Sequence, residues 1–152
     1  MQINIIPYRP EHKPAFYQLN IEWLDHYGLT ESHDLEVLDD PTGTIIERGG
    51  HIWMAVDGQE AIGSAALMKE HEGVYELAKM TVAPSYRGQG ISKLLILTCI
   101  AKAREIGAKK LILFSNHQLQ TAISLYEKNG FVHIPVEDSP FETADVKMEL
   151  VF

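Results

Sequence analysis

The chain has 152 residues, 45% of them hydrophobic and 22% charged, with a formal net charge of -8. That length and balance predict one globular domain, residues 1–152, with enough buried surface for a core that needs no disulfide staples. The acidic balance argues against nucleic acid as a partner, because phosphate contacts need a basic face, and it raises the local concentration of cations.

From the N-terminus, Ile3, Ile5 and Pro7 alternate with Asn4 and Ile6 and predict a short first strand. Glu11–Tyr27 carries Phe16, Leu19, Trp23 and Tyr27 near helical spacing, with Gly28 placed as a C-cap. Ser32–Leu38 predicts a second, short helix stopped by Asp39-Asp40-Pro41. Gly49-Gly50 opens a strand, His51–Val56, and Asp57-Gly58 is a hairpin signal leading to a return strand, Ala61–Lys69. Glu70–Gly73 then turns the chain into Val74–Val82, so three consecutive antiparallel strands are expected.

That third strand leads, through a turn at Ala83-Pro84-Ser85, to the loop Arg87-Gly88-Gln89-Gly90 and a mostly apolar helix, Ile91–Ile106. Ile91, Leu94, Leu95 and Thr98 share one predicted face of that helix. A strand feeding a glycine-rich loop into a helix N-terminus builds an anion site from unpaired N–H groups and the helix dipole. Gly88 and Gly90 keep side chains off the backbone, and Arg87 adds a planar cationic fork. The spacing does not match a P-loop, since Leu94 stands four residues after Gly90, nor a full G-x-G-x-x-G, where Lys93 takes the third glycine's place. On the loop alone, a tight strand–helix connection without a ligand remains an equal alternative.

Lys109–Phe114 is an aliphatic run that predicts a buried strand, parallel to Val74–Val82 because a helix crosses between them. Leu119, Ala122, Ile123 and Tyr126 mark an amphipathic helix closed by Asn129-Gly130. Phe131–Val136 and Ala144–Leu150 predict a final hairpin around the acidic loop Glu137–Phe141. By spacing alone, Tyr126 is a core partner of Leu119, Asn116 is a helix cap, and Glu76 is a strand carboxylate on the surface. Cys99 inside a helix and a start lacking basic and apolar leader regions favour a reducing, cytoplasmic setting. The longest apolar run, Leu94–Ala101, falls well short of the roughly 18 residues a membrane span needs, so no membrane partner is expected. No metal is expected either: His71-Glu72 begins an H-E-x-x-H that Tyr75 breaks.

Arg87-Gly88-Gln89-Gly90-Ile91-Ser92 resembles the R/Q-x-x-G-x-G/A pyrophosphate signature of the GNAT superfamily, the acetyl-CoA-dependent N-acetyltransferases. Ser92 departs from the Gly or Ala usual at the last position. Glu76-Leu77-x-x-Met80-x-Val82-x-Pro84 resembles that family's fourth strand, and Leu125-Tyr126-Glu127-Lys128-Asn129-Gly130-Phe131 resembles its "LYEKxGF" segment. The predicted order, β-α-α-β-β-β-α-β-α-β-β, is similar to the family's over nearly the whole chain. The resemblance therefore implies an α/β (α+β) GNAT fold: a mixed, mostly antiparallel sheet with parallel strands 4 and 5 splayed apart.

It further implies acetyl-CoA as cosubstrate and direct acetyl transfer to an amine in a ternary complex. Met80, Thr81 and Val82 would run along pantetheine, with the Met80 N–H polarising the thioester carbonyl. Arg87, Gly88, Gln89, Gly90, Ile91 and Ser92 would hold the pyrophosphate, and Asn116 would face pantetheine. Tyr126 would be the general acid, and Glu76 the base, directly or through water. The acceptor pocket is expected between Leu24–Leu38 and Glu137–Phe141, where Glu31, Asp34, Glu137, Asp138 and Glu142 are available to a cationic acceptor. The expected acceptor is a primary amine of a small or amino-acid-like molecule. A protein lysine or N-terminus, and an acyl-CoA-binding module without turnover, are the alternatives; a homodimer is compatible with the resemblance.

Overall fold

The computed structural model describes residues 2–152. Seven strands and four α-helices alternate: β1 (Ile3–Pro7), α1 (Lys13–His26), α2 (Ser32–Asp39), β2 (His51–Asp57), β3 (Glu60–His71), β4 (Val74–Val82), α3 (Ile91–Glu105), β5 (Lys110–Ser115), α4 (Gln120–Lys128), β6 (Val132–Ile134) and β7 (Val146–Val151). The strands form one sheet in the order β1-β2-β3-β4-β5-β7-β6. Every pairing is antiparallel except β4 with β5, which the α3 crossover makes parallel. This is the mixed sheet expected from the element order. Among the described residues no helix is long and apolar enough to cross a membrane.

Several boundaries differ from the expected ones for local reasons. β3 runs on to His71, leaving Glu72-Gly73 as the whole turn, with Gly73 at φ 83°. β6 covers three residues, because Pro135 has no N–H to continue the ladder. A 3₁₀ turn, Pro10–His12, precedes α1, whose Pro14 sits in the first turn where a missing N–H costs nothing. The core face of α3 is Ile91, Leu95, Ile96, Cys99, Ile100 and Ala103, whereas Leu94 and Leu97 are 45% and 43% exposed. The helix is apolar nearly all round, so spacing could not mark its outside. Thr98, expected on the inner face, bonds back to the Leu94 carbonyl at 2.8 Å.

The sheet separates two cores. On one face α1 and α2 bring Phe16, Val37 and Leu38 against Ile52, Met54 and Ala66. On the other, α3 and α4 bring Leu95, Ile96, Cys99 and Ile123 against Leu67, Leu77, Leu111 and Met148. The strand between them is not regular. Ser64 of β3 pairs with Thr81 and Ala66 with Ala78, so Ala65 alone stands opposite two residues of β4, Lys79 and Met80. Such a bulge bends the strand and re-aims its side chains. Lys79 adopts φ 52°, unusual for a residue with a side chain.

Two buried side chains hold the bulge. The Ser64 hydroxyl donates to the Lys79 carbonyl at 2.7 Å. Asn20 of α1 donates to the Ser64 oxygen at 3.1 Å and to the Phe16 carbonyl at 2.8 Å. Ser64→Ala therefore strands a buried carbonyl, and the expected cost is about 1–3 kcal/mol. Urea unfolding measures it; a loss below a few tenths of a kcal/mol would mean the bulge holds itself.

Candidate active site

The parallel ladder between β4 and β5 is short. It pairs Val74 with Lys110, Tyr75 with Leu111 and Glu76 with Ile112, and goes no further. Beyond Glu76 the strands part, and the β4 edge from Leu77 to Val82 has no β5 partner. The gap opens into a cavity of about 130 Å³ whose walls include Trp23, Glu76, Lys79, Met80, Asn116 and Tyr126. Wall residues come from α1 and α2 on one face of the sheet and from α4 on the other, so the cleft passes between the strands.

The buried polar residues gather here. Asn20, Asp34, Glu76 and Asn116 line the cleft, while Ser64 and Thr81 pair beside the bulge. Glu76 is 3% exposed, so it is not the surface carboxylate that strand position alone would give. Its pKa is pushed up to about 8, chiefly by burial, then by a hydrogen bond and like charge from Glu70, with Asp34 adding and Lys79 opposing. Tyr126 reaches the cleft from α4. Burial, with Cys99 as a lesser contributor, pushes its pKa to about 12, so the phenol keeps its proton across the physiological range.

The Gly loop lies at the N-terminus of α3. Gly88 and Gly90 have φ 77° and 79°, and Gly90 is the α3 N-cap. A Cβ at either would meet nothing within 4 Å, so conformation rather than crowding requires glycine within the protein itself. Arg87 donates from Nε to the Val82 carbonyl at 3.0 Å, and its guanidinium lies 4.9 Å from the Trp23 ring centroid. Its Nη groups are the donors left over. Gln89 is exposed beside them, Ser92 is half-buried, and Ile91 is buried in the α3 core. Met80 lines the cleft, and Thr81 and Val82 are buried in the strand beyond the bulge.

Asn116 uses most of its amide internally. Its Oδ1 accepts from the Gln118 N–H at 3.0 Å, and its Nδ2 donates to the Thr143 carbonyl at 2.8 Å. The side chain closes a turn and ties down the β6–β7 loop rather than capping α4, whose N-cap is Leu119. One Nδ2–H remains for the cleft.

The acids expected to await a cationic acceptor are otherwise engaged. Glu31 accepts from the Glu142 N–H at 2.9 Å, the Thr143 N–H at 3.0 Å and the Thr143 hydroxyl at 2.5 Å. Burial raises its pKa, but these bonds outweigh burial and hold it below the ordinary value. Asp34 receives the Glu31 N–H at 2.9 Å on one oxygen and the Lys79 ammonium at 2.5 Å on the other. Glu137, Asp138 and Glu142 are exposed and do not line the cleft. The cleft is walled on one side by α1, α2 and the β6–β7 loop, and none of these five acids stands free in it.

Lys79, Asn20, Ser64 and Trp23 were not foreseen as site residues. Three of them left a faint signal in the sequence. Asn20 follows Phe16 by one turn on an otherwise apolar face, and Ser64 interrupts a run of small apolar residues. Lys79 breaks the alternation of its strand.

The site is thus a mixed sheet whose parallel pair parts beside a glycine-rich loop at a helix N-terminus, with a carboxyl and a phenol in the gap. The acetyltransferase (GNAT) family model matches residues 11–131, and the chain belongs to that family. It is 32% identical over 145 residues to the uncharacterized N-acetyltransferase YjgM of Escherichia coli K12, covering 86% of this chain and 87% of that one. In structure it is similar to a GNAT acetyltransferase of Staphylococcus aureus Mu50, with TM-score 0.90, 22% identity and 99% of each chain covered. The PaiA N-acetyltransferase of Thermoplasma acidophilum, solved in complex with coenzyme A, superposes with TM-score 0.81, 19% identity and 100% of each chain covered.

The raised Glu76 pKa has a consequence for stability. The native state holds the Glu76 proton from pH 4.5 up to about 8, while the unfolded chain releases it. Stability contributed at low pH is therefore lost as pH rises through that window. Glu76→Gln removes the effect, so its melting temperature relative to wild type should climb between pH 5 and pH 8. Parallel melting curves for the two proteins would indicate an ordinary carboxylate pKa.

Proposed function

We propose that the protein moves the acetyl group of acetyl-CoA to a primary amine of a small, amino-acid-like molecule, directly and in a ternary complex. The observation that carries this is the parting of β4 from β5 beyond Glu76, which opens one cleft to both Glu76 and Tyr126. The free β4 edge and the anion site at α3 suit the pantetheine and pyrophosphate portions of coenzyme A, the ligand of the Thermoplasma protein. The thioester supplies an activated acetyl carbonyl. Every other role falls to this chain.

Arg87 and the backbone N–H groups from Gly88 to Ser92 hold the diphosphate. Met80 and Val82 align the pantetheine arm along β4, and Asn116 adds its one uncommitted N–H. The Met80 N–H, in the bulge, polarises the thioester carbonyl as an oxyanion-type donor. Glu76 removes the proton from the acceptor ammonium, which leaves a nitrogen lone pair for attack. A carboxyl near pKa 8 is better matched to an amine of pKa about 10 than one at 4. Tyr126 gives its proton to the sulfur as the C–S bond breaks, and the second proton shed by the acylated nitrogen restores the phenol directly or through water. A phenol near 12 is a weak donor to a thiolate of pKa about 8.5 in water, but the dry cleft that raises the phenol raises the departing sulfur's basicity as well.

The test is kinetic. Tyr126→Phe keeps the ring, so the melting temperature and CoA affinity should stay near wild type. Its kcat should fall about 10²–10⁴-fold. Near-wild-type kcat, with chemistry shown to limit the rate, would reduce Tyr126 to a packing residue.

Glu76→Gln separates the base from the acid. Wild-type kcat/KM should rise with pH toward a pKa near 8, since Glu76 acts only when ionised. The variant should lose most at and above that pH. An unchanged profile would move proton removal to water.

A further inference from the structure

The cleft's hydrogen-bonding ledger is lopsided toward donors. Lys79 is buried, its side chain 6% exposed, and it lines the cavity from the β4 bulge. Its ammonium carries three N–H groups. One meets Asp34 at 2.5 Å, and the Phe141 ring, 5.5 Å from Nζ, offers a π face but no lone pair. Two donors are left on a buried side chain that lines the cleft. The remaining Asn116 Nδ2–H also lacks a protein partner. On the acceptor side, both oxygens of Asp34 are taken, and so is Asn116 Oδ1.

We propose that Lys79 binds a carboxylate of the acetyl acceptor, so that the acceptors are aminocarboxylates, amino acids and their derivatives, rather than polyamines. This rests on the acetyl-transfer reading above. The charges agree with it. Asp34 and Lys79 form a neutral pair, and Glu76 beside them is the one carboxyl left for an incoming ammonium. A zwitterion adds no net charge to such a site: its carboxylate meets the Lys79 donors and its ammonium meets Glu76. A polyamine would bring a second cation to a wall where the Asp34 carboxylate is already paired with Lys79. A buried cation with unmade bonds is costly, so an oxygen-bearing group is favoured over a methylene at that point. The aromatic wall of Trp23, Phe114 and Phe141 is left for the body of the acceptor.

The experiment uses the purified full chain with acetyl-CoA and follows thiol release. Phenylalanine is set beside phenethylamine, leucine beside isoamylamine, and spermidine completes the panel. Wild type should prefer each amino acid over its decarboxylated twin by about 10- to 100-fold in kcat/KM, the range expected for hydrogen bonds to a charged group. In Lys79→Met that ratio should collapse toward one, the loss falling on KM for the amino acid. Because Lys79→Met leaves Asp34 buried without a partner, Lys79→Met/Asp34→Asn is assayed beside it and should show the same collapse. Equal or better use of the decarboxylated amines or spermidine by wild type overturns the inference and leaves acetyl transfer intact. So does a preference that survives in the variants. Release with none of the amines, in a protein that binds acetyl-CoA by calorimetry, overturns the transfer reading and this inference together. The wild-type panel decides even if neither variant folds.

Discussion

Inserting one residue into one strand of an antiparallel pair forces that strand to bend, and here the bend is what the rest of the molecule accommodates. Lys79 and Met80 share a single opposite residue in β3. Regular pairing of the sheet through this region would seal β4 against β5. Instead the parallel ladder ends at Glu76, and the two faces of the sheet communicate through the gap. A positive φ on a residue with a Cβ costs about 1–2 kcal/mol. The Ser64 bond to the Lys79 carbonyl and the Asn20 bond to Ser64 hold the backbone in that state.

The bulge also explains why so much polarity lies inside a small core. A buried ion pair such as Lys79–Asp34 contributes little net stability, because desolvating two charges offsets their attraction. Its effect is positional. It fixes α2 against β4 at one height and gives the cleft wall a defined set of donors. Glu76, beside this pair and Glu70, has its proton affinity set by neighbours on three elements, β3, β4 and α2. The protonation of Glu76 is thus set jointly by elements that frame the gap.

Much of the fold was legible because its signals are local. The turns at Glu70–Gly73 and Ala83-Pro84-Ser85 bounded β4 to the residue, and the glycine loop ending at Gly90 announced the start of a helix. The parallel arrangement of β4 and β5 followed from the intervening helix. What could not be read were consequences of packing between distant segments. Glu31 and Asp34 look like free acids in a linear chain. Only the fold brings the backbone of Glu142 and Thr143, 111 and 112 positions away, onto Glu31. Lys79 looked like an ordinary strand cation until the bulge turned it inward. The outer face of α3 was illegible for a different reason, since the run Leu94–Ala101 contains no charged residue and its one hydroxyl, Thr98, satisfies itself on the Leu94 carbonyl.

The bonds from Glu142 and Thr143 to Glu31 bear on how acceptor choice can change over time. They clip the loop between β6 and β7 to the start of α2, so two segments beside the cleft that are far apart in the sequence are joined by one carboxylate. A loop of new length or sequence that fails to deliver those three donors leaves a carboxylate without its partners. Lineages exploring new acceptors by loop replacement must therefore change Glu31 in step. Loop and helix cap should be inherited as a single cassette, and grafting either half alone between relatives would transfer a defect instead of a specificity.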